Sequence, residues 1–421
     1  MFHYLFHQYS KKWWAWSFAL IVLLAGIVIC YIKAQRITET VTDLSVYFFS
    51  GWFFTEGMPL YDQYYKTVPP YLYLPFMAML FTPLNLAKPE TSAFIFNLLN
   101  LILIFLVFNT LFHLLSKKNT EKQKILFLLF LVLIFSARYL WTNFDLGQIN
   151  LLIVWFILLG YQKMLDNKTV PATVFFTLAT GFKIIPVIFL FWFFVRKFSL
   201  RHLLISAGIF IILLLLPFPF RGYEQSIRDL HDFYTHVLYT NLLDNQLFYR
   251  FTNQSLDAAI GRLFLPSVGD NLHVFPYFPV KPDIVPMIAL STKILISIPF
   301  LLFIFRQIKS NKILSFFELS LVFLFMHIIS SITWKNHLVS MTVILIPLFY
   351  LMLFNKKLVN IWFLIIILLL MTILSMSGTS LVGLKIAQIV GSYSLYTLLL
   401  LSLYFYYLYL HFLRPQSFSA C

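Results

Sequence analysis

Cysteine is almost absent from this sequence, which limits the chemistry that the chain can carry. Of 421 residues two are Cys, one inside the first apolar run and one at the last position. They provide neither a disulfide framework nor a thiolate metal site. There is also no Asp-x-Asp pair, so a metal site has no local sequence support. The sequence therefore predicts a protein that works without a metal or another cofactor.

Charged residues are scarce as well, and their scarcity excludes an ordinary soluble domain. Only 11% of the residues are charged, against about 25% in a typical soluble domain. In their place, 60% are hydrophobic and 19% are aromatic, and apolar runs recur from Trp13 to the C-terminal end. Many of these runs approach the length of a bilayer crossing. The composition predicts an all-α polytopic membrane protein whose solvent is the lipid bilayer.

The positive charge of the chain indicates topology rather than a nucleic-acid partner. The formal net charge is +15, but the basic residues form short clusters between apolar runs instead of one polar face. Short cytoplasmic loops collect Lys and Arg. We therefore place these clusters in the cytoplasm: Lys11–Lys12, Lys117–Lys124, Lys163–Lys168, Arg196–Arg201, Arg306–Lys312, Lys356–Lys357 and Arg414.

This assignment predicts a bundle of about twelve transmembrane helices with both ends in the cytoplasm. The first apolar run follows two Lys residues but has no small-x-small cleavage site after it, so we expect a retained span rather than a signal peptide. The predicted spans are residues 13–31, 91–115, 124–141, 147–162, 169–182, 184–197, 201–217, 284–306, 313–330, 338–354, 358–376 and 390–413.

One pair of predicted spans is unusually short. Residues 169–182 and 184–197 are both shorter than the roughly 20 residues of a normal crossing. We therefore expect a tight hairpin whose tip, Gly181-Phe182-Lys183, is recessed below the membrane surface.

Two connections are long, residues 32–90 and 218–283, and the charge pattern places both outside the cytoplasm. They hold most of the acidic residues, so any chemistry is expected there. We interpret residues 1–421 as a single membrane-embedded domain, with an N-terminal module over 1–217 and C-terminal helices over 284–421.

Each long connection contains a segment that is predicted to lie at the membrane. Residues 71–86 are apolar but include Pro75 and Pro83, and we place them in the outer leaflet as a re-entrant or juxtamembrane segment. Residues 223–240 have an amphipathic pattern. They are expected to lie along the membrane surface.

Asp43, in the first long connection, has two alternative interpretations. It begins a helix-like stretch, and an Asp at such a position can act as an N-cap. Alternatively, a carboxylate beside an apolar wall can have a raised pKa and act as a general base on a hydroxyl. The residue alone does not decide between these roles, so the surrounding pattern must.

That pattern is a series of short motifs in a fixed order. They are Asp43, Tyr47, Gly57 and Tyr61; Val68-Pro69-Pro70-Tyr71-Leu72-Tyr73-Leu74-Pro75-Phe76; Gly147-Gln148-Ile149-Asn150; Gly181-Phe182-Lys183-Ile184-Ile185-Pro186; Asn253-Gln254-Ser255-Leu256 with Arg262; and Trp334-Lys335-Asn336-His337. Over about residues 40–340 the sequence thereby resembles glycosyltransferase family 87, a group of polyprenol-phosphate-dependent enzymes that includes mycobacterial mannosyltransferases. Asn336 departs from the pattern, since many relatives carry a second His there.

The resemblance implies a GT-C type bundle with a catalytic cleft on the extracytoplasmic side of the plasma membrane. It implies transfer of a hexose, most commonly mannose in this family, from a polyprenyl-phosphate donor to a lipid or glycan acceptor, with inversion. Asp43 would be the catalytic base. Lys183 is the best candidate for binding the donor phosphate, because a lone charge in an apolar hairpin is costly and tends to mark function. The alternative is a Lys that snorkels to the lipid headgroups.

Further residues are predicted to contact the substrates. For the donor phosphate they are His337, Lys335, Arg250 and Arg262; for the sugar and acceptor they are Tyr47, Tyr61, Asp145, Gln148, Asn253, Gln254 and Trp334. Structural alternatives exist for several of them. Asp145 and Arg138 flank a predicted outer connection over 139–144 and could form an ion pair, and membrane interfaces are enriched in Trp without any catalytic reason.

Two other functions remain open from the sequence. A flippase or transporter of lipid-linked sugars would place polar residues at mid-membrane depth in broken helices, and the sequence has few of these. A polysaccharide polymerase is closer in chemistry. It differs in whether product forms from a donor that carries a single sugar.

Overall fold

The computed structural model describes residues 1, 4, 13–35, 42–61, 70–239, 249–265, 278–309 and 314–413. Every regular element within these ranges is helical, which confirms the all-α prediction for this part of the chain. The predicted basic clusters at Lys11–Lys12 and Arg414, and the end of the cluster at Lys312, lie outside the described residues.

The described helices are numbered here in chain order. In the first half they are α1 (Trp13–Gln35), α2 (Asp43–Thr55), α3 (Pro75–Phe81), α4 (Pro89–Lys118), α5 (Lys122–Leu146), α6 (Asn150–Leu165), α7 (Thr169–Phe182), α8 (Val187–Lys197) and α9 (Leu200–Leu215). In the second half they are α10 (Phe218–Arg221), α11 (Tyr223–Asp232), α12 (Leu256–Phe264), α13 (Val285–Lys309), α14 (Phe316–Ile329), α15 (Met341–Ile344), α16 (Ile346–Phe354), α17 (Ile361–Met376), α18 (Thr379–Ser392) and α19 (Leu395–Leu413).

Each predicted span coincides with a helix or a helix pair, and within the described ranges six helical segments are long and apolar enough to cross a membrane. These six are Pro89–Lys117, Lys122–Leu146, Leu200–Arg221, Pro282–Ile308, Lys335–Phe354 and Leu395–Leu413. The chain is therefore a multi-pass membrane protein. The total of twelve crossings stays a prediction, because helices such as the 14-residue α7 rise about 21 Å, less than the roughly 30 Å of the hydrocarbon core.

The apolar segment of the first long connection is too short to cross by itself. Helix α3 has seven residues and continues into a 3₁₀ helix, Thr82–Leu86. Pro75 occupies its first turn, where a missing backbone N–H costs no hydrogen bond. This length agrees with the predicted re-entrant segment, whose place in the outer leaflet stays a prediction.

The chain divides into two compact units, and each unit consists of three separate stretches of the sequence. The first unit comprises Met1–Leu114, Thr142–Leu190 and Phe198–Asp244, and the second comprises Leu115–Trp141, Phe191–Lys197 and Asn245–Cys421. In the first unit α7 packs against α6 and α9, and α2 packs against α3. In the second unit α14 packs against α19.

Helix α14 forms the core of the second unit and carries a buried carboxylate. Glu318 is 1% exposed, and its Oε1 accepts hydrogen bonds of 2.7 Å from both Trp192 Nε1 and Arg196 Nε. A second contact joins Arg196 Nη2 to Glu318 Oε2. The ion pair thus ties α8 to the start of α14, because a buried charge must be paired and hydrogen-bonded to be tolerated.

We expect Glu318→Ala to lower the free energy of unfolding by about 3–5 kcal/mol, because the substitution leaves the Arg196 charge buried and uncompensated. Denaturation of the purified protein in detergent measures the loss. Glu121→Ala is the matched control, since the Glu121–Lys124 pair is about half exposed and should contribute little. Equal losses in the two variants would contradict this account of the core.

Candidate functional site

Asp43 is the first residue of α2, and the N-cap position belongs to Thr42. The interpretation of Asp43 as the N-cap is therefore wrong by one residue. The backbone N–H of Thr42 donates to Ser45 Oγ at 3.2 Å, so a polar side chain of the first helical turn satisfies the backbone N–H of the N-cap residue. The Asp43 carboxylate lies in the first helical turn, where the helix dipole favours negative charge.

The partner of the Asp43 carboxylate is the side-chain amide of Gln148, which donates a hydrogen bond to it. The amide oxygen of Gln148 accepts from Tyr47 Oη at 3.2 Å and from Tyr73 Oη at 3.5 Å. The two hydroxyls are themselves 2.9 Å apart. Because the tyrosines occupy the amide oxygen, the amide nitrogen is directed to the carboxylate.

The backbone around Gln148 is held by two buried asparagines. The backbone N–H of Gln148 donates to Asn143 O at 3.0 Å, and Asn143 Nδ2 donates back to Gln148 O at 3.2 Å. Asn143 Nδ2 also lies 3.3 Å from Asn100 Oδ1. Asn100 and Asn143 were not predicted from the sequence, although polar amides within the apolar helices α4 and α5 were the available signal.

The close approach of this turn to α2 requires glycine at position 147. Gly147 has a φ of +66°, and a Cβ there would lie 2.6 Å from Leu44 Cβ. Leu44 directly follows Asp43 in α2. The turn between α5 and α6 therefore sets the distance between Gln148 and the carboxylate.

Lys183 lies between α7 and α8, at the tip of the predicted hairpin, and is half-buried. Its Nζ donates to Asn150 Oδ1 at 2.9 Å. Burial lowers the pKa of Lys183 to about 8, while the charge of Asp43 acts in the opposite direction. Asn150 lies two residues after Gln148, so the same turn positions both the base candidate and the cation.

Asp43 and Lys183 interact electrostatically, and the pKa of each is shifted mainly by burial. Burial raises the pKa of Asp43, and the hydrogen bond from Gln148 and the charge of Lys183 partly offset this. The structure thus brings together four of the predicted site residues from three separate segments of the chain, Asp43, Tyr47, Gln148 and Lys183. This cluster can hold a carboxylate of raised basicity near a cation.

Tyr61 lies in an aromatic wall next to this cluster. Its hydroxyl donates to Tyr73 O at 2.6 Å, and its ring packs against Tyr71 at 5.5 Å and Phe233 at 5.9 Å between centroids. Phe233 directly follows helix α11, and its ring packs on the first long connection. The predicted location of this segment along the membrane surface stays a prediction. The end of the predicted segment, Thr240, lies outside the described residues.

An ion pair that sequence reasoning missed fastens α10 and α11 to the end of α2. The guanidinium of Arg221 donates to Phe53 O, Phe54 O and Met58 O at 2.8–3.0 Å and forms two hydrogen bonds with Asp229 at 2.9 and 3.0 Å. Both side chains are fully buried. Arg221 therefore closes the C-terminus of the helix that begins with Asp43.

Asp145 forms an ion pair with Lys33 at a partly exposed position. Residues 139–144 belong to the continuous helix α5, so the prediction of an outer connection there is wrong. The partner of Asp145 is Lys33 at the end of α1 and not Arg138, a pairing that no local sequence pattern indicates.

In the second unit, three predicted substrate contacts are buried and bonded to the protein itself. Asn253 joins Ser331 O and the backbone N–H of Thr333 at 3.0 and 2.9 Å, and Gln254 Nε2 donates to Phe251 O and Gly391 O. These hydrogen bonds hold the backbone next to α12 in place.

Arg262 is 3% exposed and donates to the backbone oxygens of Tyr249, Arg250 and Asn253 at 2.9–3.3 Å. Two further hydrogen bonds join it to Ser394 Oγ. This bonding supports a structural role for Asn253, Gln254 and Arg262, while the side chain of Arg250 is exposed.

The motif from Trp334 to His337 opens a 3₁₀ helix, Lys335–Ser340, at the start of a candidate span. The rings of Trp334 and His337 stack with centroids 6.0 Å apart, and the backbone N–H of Trp334 donates to His337 Nδ1 at 3.3 Å. Asn336 is fully buried. The motif belongs to the second unit, whereas Asp43 and Lys183 belong to the first.

No group of three or more His, Cys, Asp or Glu side chains suited to a metal ion occurs in the described ranges. Metal-independent chemistry stays a prediction.

Comparison with known proteins gives one family and one curated relative. The sequence matches the family model of glycosyltransferase family 87 over residues 71–331. It is 24% identical over 272 residues to the polyprenol-phosphate-mannose-dependent alpha-(1-2)-phosphatidylinositol mannoside mannosyltransferase of Mycobacterium tuberculosis, with 60% of each chain covered. The match thus spans less than two thirds of that relative. Gln148 and Lys183 fall within the family range, and Asp43 and His337 fall outside it.

We expect Gly147→Ala to destabilise the protein more than Gly57→Ala does. Both glycines have a positive φ, of +66° and +69°, so each substitution brings strain of about 1–2 kcal/mol. Only at position 147 does the new Cβ meet another residue, whereas nothing lies within 4 Å of one at position 57. The extra overpacking should cost about 1–3 kcal/mol, measured by denaturation in detergent. Equal losses would show that the contact with Leu44 relaxes freely.

Proposed function

Because the chain belongs to glycosyltransferase family 87, we propose that it transfers a sugar from a polyprenyl-phosphate donor to a hydroxyl group of a lipid or glycan acceptor. The observation that supports this most directly is the placement of Asp43, Gln148 and Lys183 in one cluster. It supplies a base and a cation, which are the two groups that such a transfer requires.

Asp43 acts as the general base in this proposal. Its carboxylate accepts the proton of the acceptor hydroxyl while the oxygen forms a bond to the anomeric carbon of the sugar. The raised pKa makes the carboxylate a stronger base than an exposed Asp. The hydrogen bond from Gln148 fixes its orientation. A single displacement of this kind inverts the anomeric configuration.

Lys183 binds the donor phosphate and stabilises it as the leaving group. In the donor the phosphate is a diester with one negative charge, and it gains charge when the bond from the anomeric carbon to the phosphate oxygen breaks. A half-buried ammonium group stabilises that additional charge more strongly than an exposed one.

We propose mannose as the sugar and a lipid as the acceptor, since the curated relative is named as a polyprenol-phosphate-mannose-dependent enzyme that acts on a phosphatidylinositol mannoside. The distribution of Lys and Arg supports an active site on the extracytoplasmic side of the plasma membrane. A polysaccharide polymerase or a flippase would not release polyprenyl phosphate from a donor that carries one sugar in the presence of such an acceptor.

The proposal predicts that Asp43→Asn abolishes release of polyprenyl phosphate from an accepted donor. The amide cannot take up the proton, so the rate should fall by about 10²–10⁴-fold. The assay incubates purified protein with a panel of polyprenyl-phosphate sugars and a lipid acceptor. Glu56→Gln, an isosteric change at the exposed other end of α2, is the control and should retain activity. An Asp43→Asn protein of normal rate would refute the assignment of the base.

The pH dependence of the rate should be bell-shaped. As pH rises through about 8, Lys183 loses its proton and with it the charge that binds the phosphate. As pH falls, Asp43 is protonated at a higher pH than an ordinary Asp, because burial raises its pKa. In Lys183→Arg the alkaline limb should move to higher pH, since Arg stays protonated, while the acid limb stays in place. An unchanged alkaline limb would assign it to another group.

A further inference from the structure

Two cations of the second unit converge on one tyrosine. The Nζ atom of Lys335 lies 5.1 Å from the centroid of the Tyr396 ring, and the side chain of Arg138 hydrogen-bonds to the Tyr396 hydroxyl. The two positive charges are close enough to repel each other. The Tyr396 hydroxyl also lies 2.8 Å from Ser377 Oγ. Tyr396 therefore contacts both cations and one neutral polar group.

The position of Arg138 is built into the packing of this unit. A Cβ at Gly378 would lie only 2.8–2.9 Å from the guanidinium atoms of Arg138, so the absence of a side chain at position 378 makes room for it. The ring of Tyr139 packs edge-on against Tyr396 with centroids 6.2 Å apart. Four separate segments of the chain thus meet at this cluster.

Three segments of the cluster lie at the ends of apolar helices, and Arg138 lies within α5, eight residues before its last residue. Lys335 is the first residue of a candidate membrane span, and Tyr396 is the second residue of another. Ser377 and Gly378 directly follow α17. Helix ends of this kind lie at the depth of the lipid headgroups, where basic pockets between helices bind phosphate.

Lys335 has no carboxylate partner among the described residues. The carboxylates of this unit that form ion pairs do so with other cations: Glu121 with Lys124, Asp257 with Lys293, and Glu318 with Arg196. Repulsion between Lys335 and Arg138 is costly in an apolar environment, and a bound anion would turn it into attraction to both. A phosphate group suits the planar, two-pronged guanidinium of Arg138 together with the point charge of Lys335.

We propose that Lys335, Arg138 and Tyr396 form a binding site for the phosphate group of a membrane lipid. The inference deepens the proposed function and rests on it for the nature of the ligand. That phosphate has two possible sources, the polyprenyl phosphate of the donor and the phosphodiester headgroup of a phospholipid. Lys335 is one of the donor-phosphate contacts predicted from the sequence, whereas Arg138 and Tyr396 are not, and none of the three contributes to the cluster at Lys183.

The test measures the affinity of the purified full-length protein for two probes separately. Polyprenyl phosphate and phosphatidylglycerol are titrated into the protein in phosphatidylcholine nanodiscs. Lys335→Gln and Arg138→Gln should each weaken binding of at least one probe about tenfold, as expected for the loss of one charge-assisted hydrogen bond. The probe that loses affinity identifies the source of the phosphate. Unchanged affinity for both probes would overturn the proposal.

Matched variants separate binding from folding. Lys385→Gln and Arg306→Gln remove the same charges at exposed positions of the same unit and should leave both affinities unchanged. Lys335→Arg keeps the charge and should retain most of the affinity. If Lys335→Arg bound as weakly as Lys335→Gln at equal thermal stability, the effect would come from packing and the proposal would fail.

The outcome is independent of the proposed chemistry. Asp43→Asn should lose sugar transfer and keep its affinity for both probes. A wild-type protein without transferase activity that still loses lipid affinity in Lys335→Gln would refute the proposed function and uphold the phosphate site. If the wild type transfers sugar but neither substitution changes the lipid affinities, the proposed function is upheld and the phosphate site is refuted.

Discussion

The hydrogen bond from the Gln148 amide to the Asp43 carboxylate is the contact on which the candidate site depends. A carboxylate beside an apolar wall needs a donor, because the lost hydration of the ion is otherwise uncompensated. The donor is oriented by two tyrosine hydroxyls, and its backbone is held by Asn143. Without this order the amide could turn its oxygen to the carboxylate and repel it.

Buried polar side chains throughout the chain connect segments that are distant in sequence. Arg221 joins the end of α2 to α11, Lys293 joins α13 to Asp257 in α12 at 2.5 Å, and Arg196 joins α8 to Glu318 in α14. In a medium of low dielectric an ion pair of this kind is costly to break. The long connections are thereby fixed to the helices, which allows them to carry a site that needs defined geometry.

Cations serve different purposes in the two units. Lys183 shares its surroundings with a carboxylate and an amide, so its charge is partly balanced within the protein. Lys335 is next to a second cation and an aromatic ring, an arrangement that favours an external anion. Arg262 donates its hydrogen bonds to backbone carbonyls of the same long connection. The residue type alone therefore does not distinguish a ligand-binding cation from a structural one.

Composition and apolar runs identify the chain as a helical, multi-pass membrane protein, and each predicted span contains a helix. Composition and the length of apolar runs are local properties, and lipid forces such runs to satisfy their backbone polar groups within a helix. The helix α18 was not foreseen, because no charge cluster separates it from its neighbours. The motifs also identified Asp43, Gln148 and Lys183 as a set, through their resemblance to a family rather than through their spacing.

The pairing of side chains follows from the packing of the folded chain and could not be predicted from the sequence. Asp145 pairs with Lys33, Asn253 and Gln254 are turned inward to bind backbone groups, and Arg138 shares Tyr396 with Lys335. Each of these contacts joins segments far apart in the chain. Many Lys, Asp and Asn residues could satisfy the same local pattern, and the packing of the helices selects the partner that shields each polar group from the hydrocarbon.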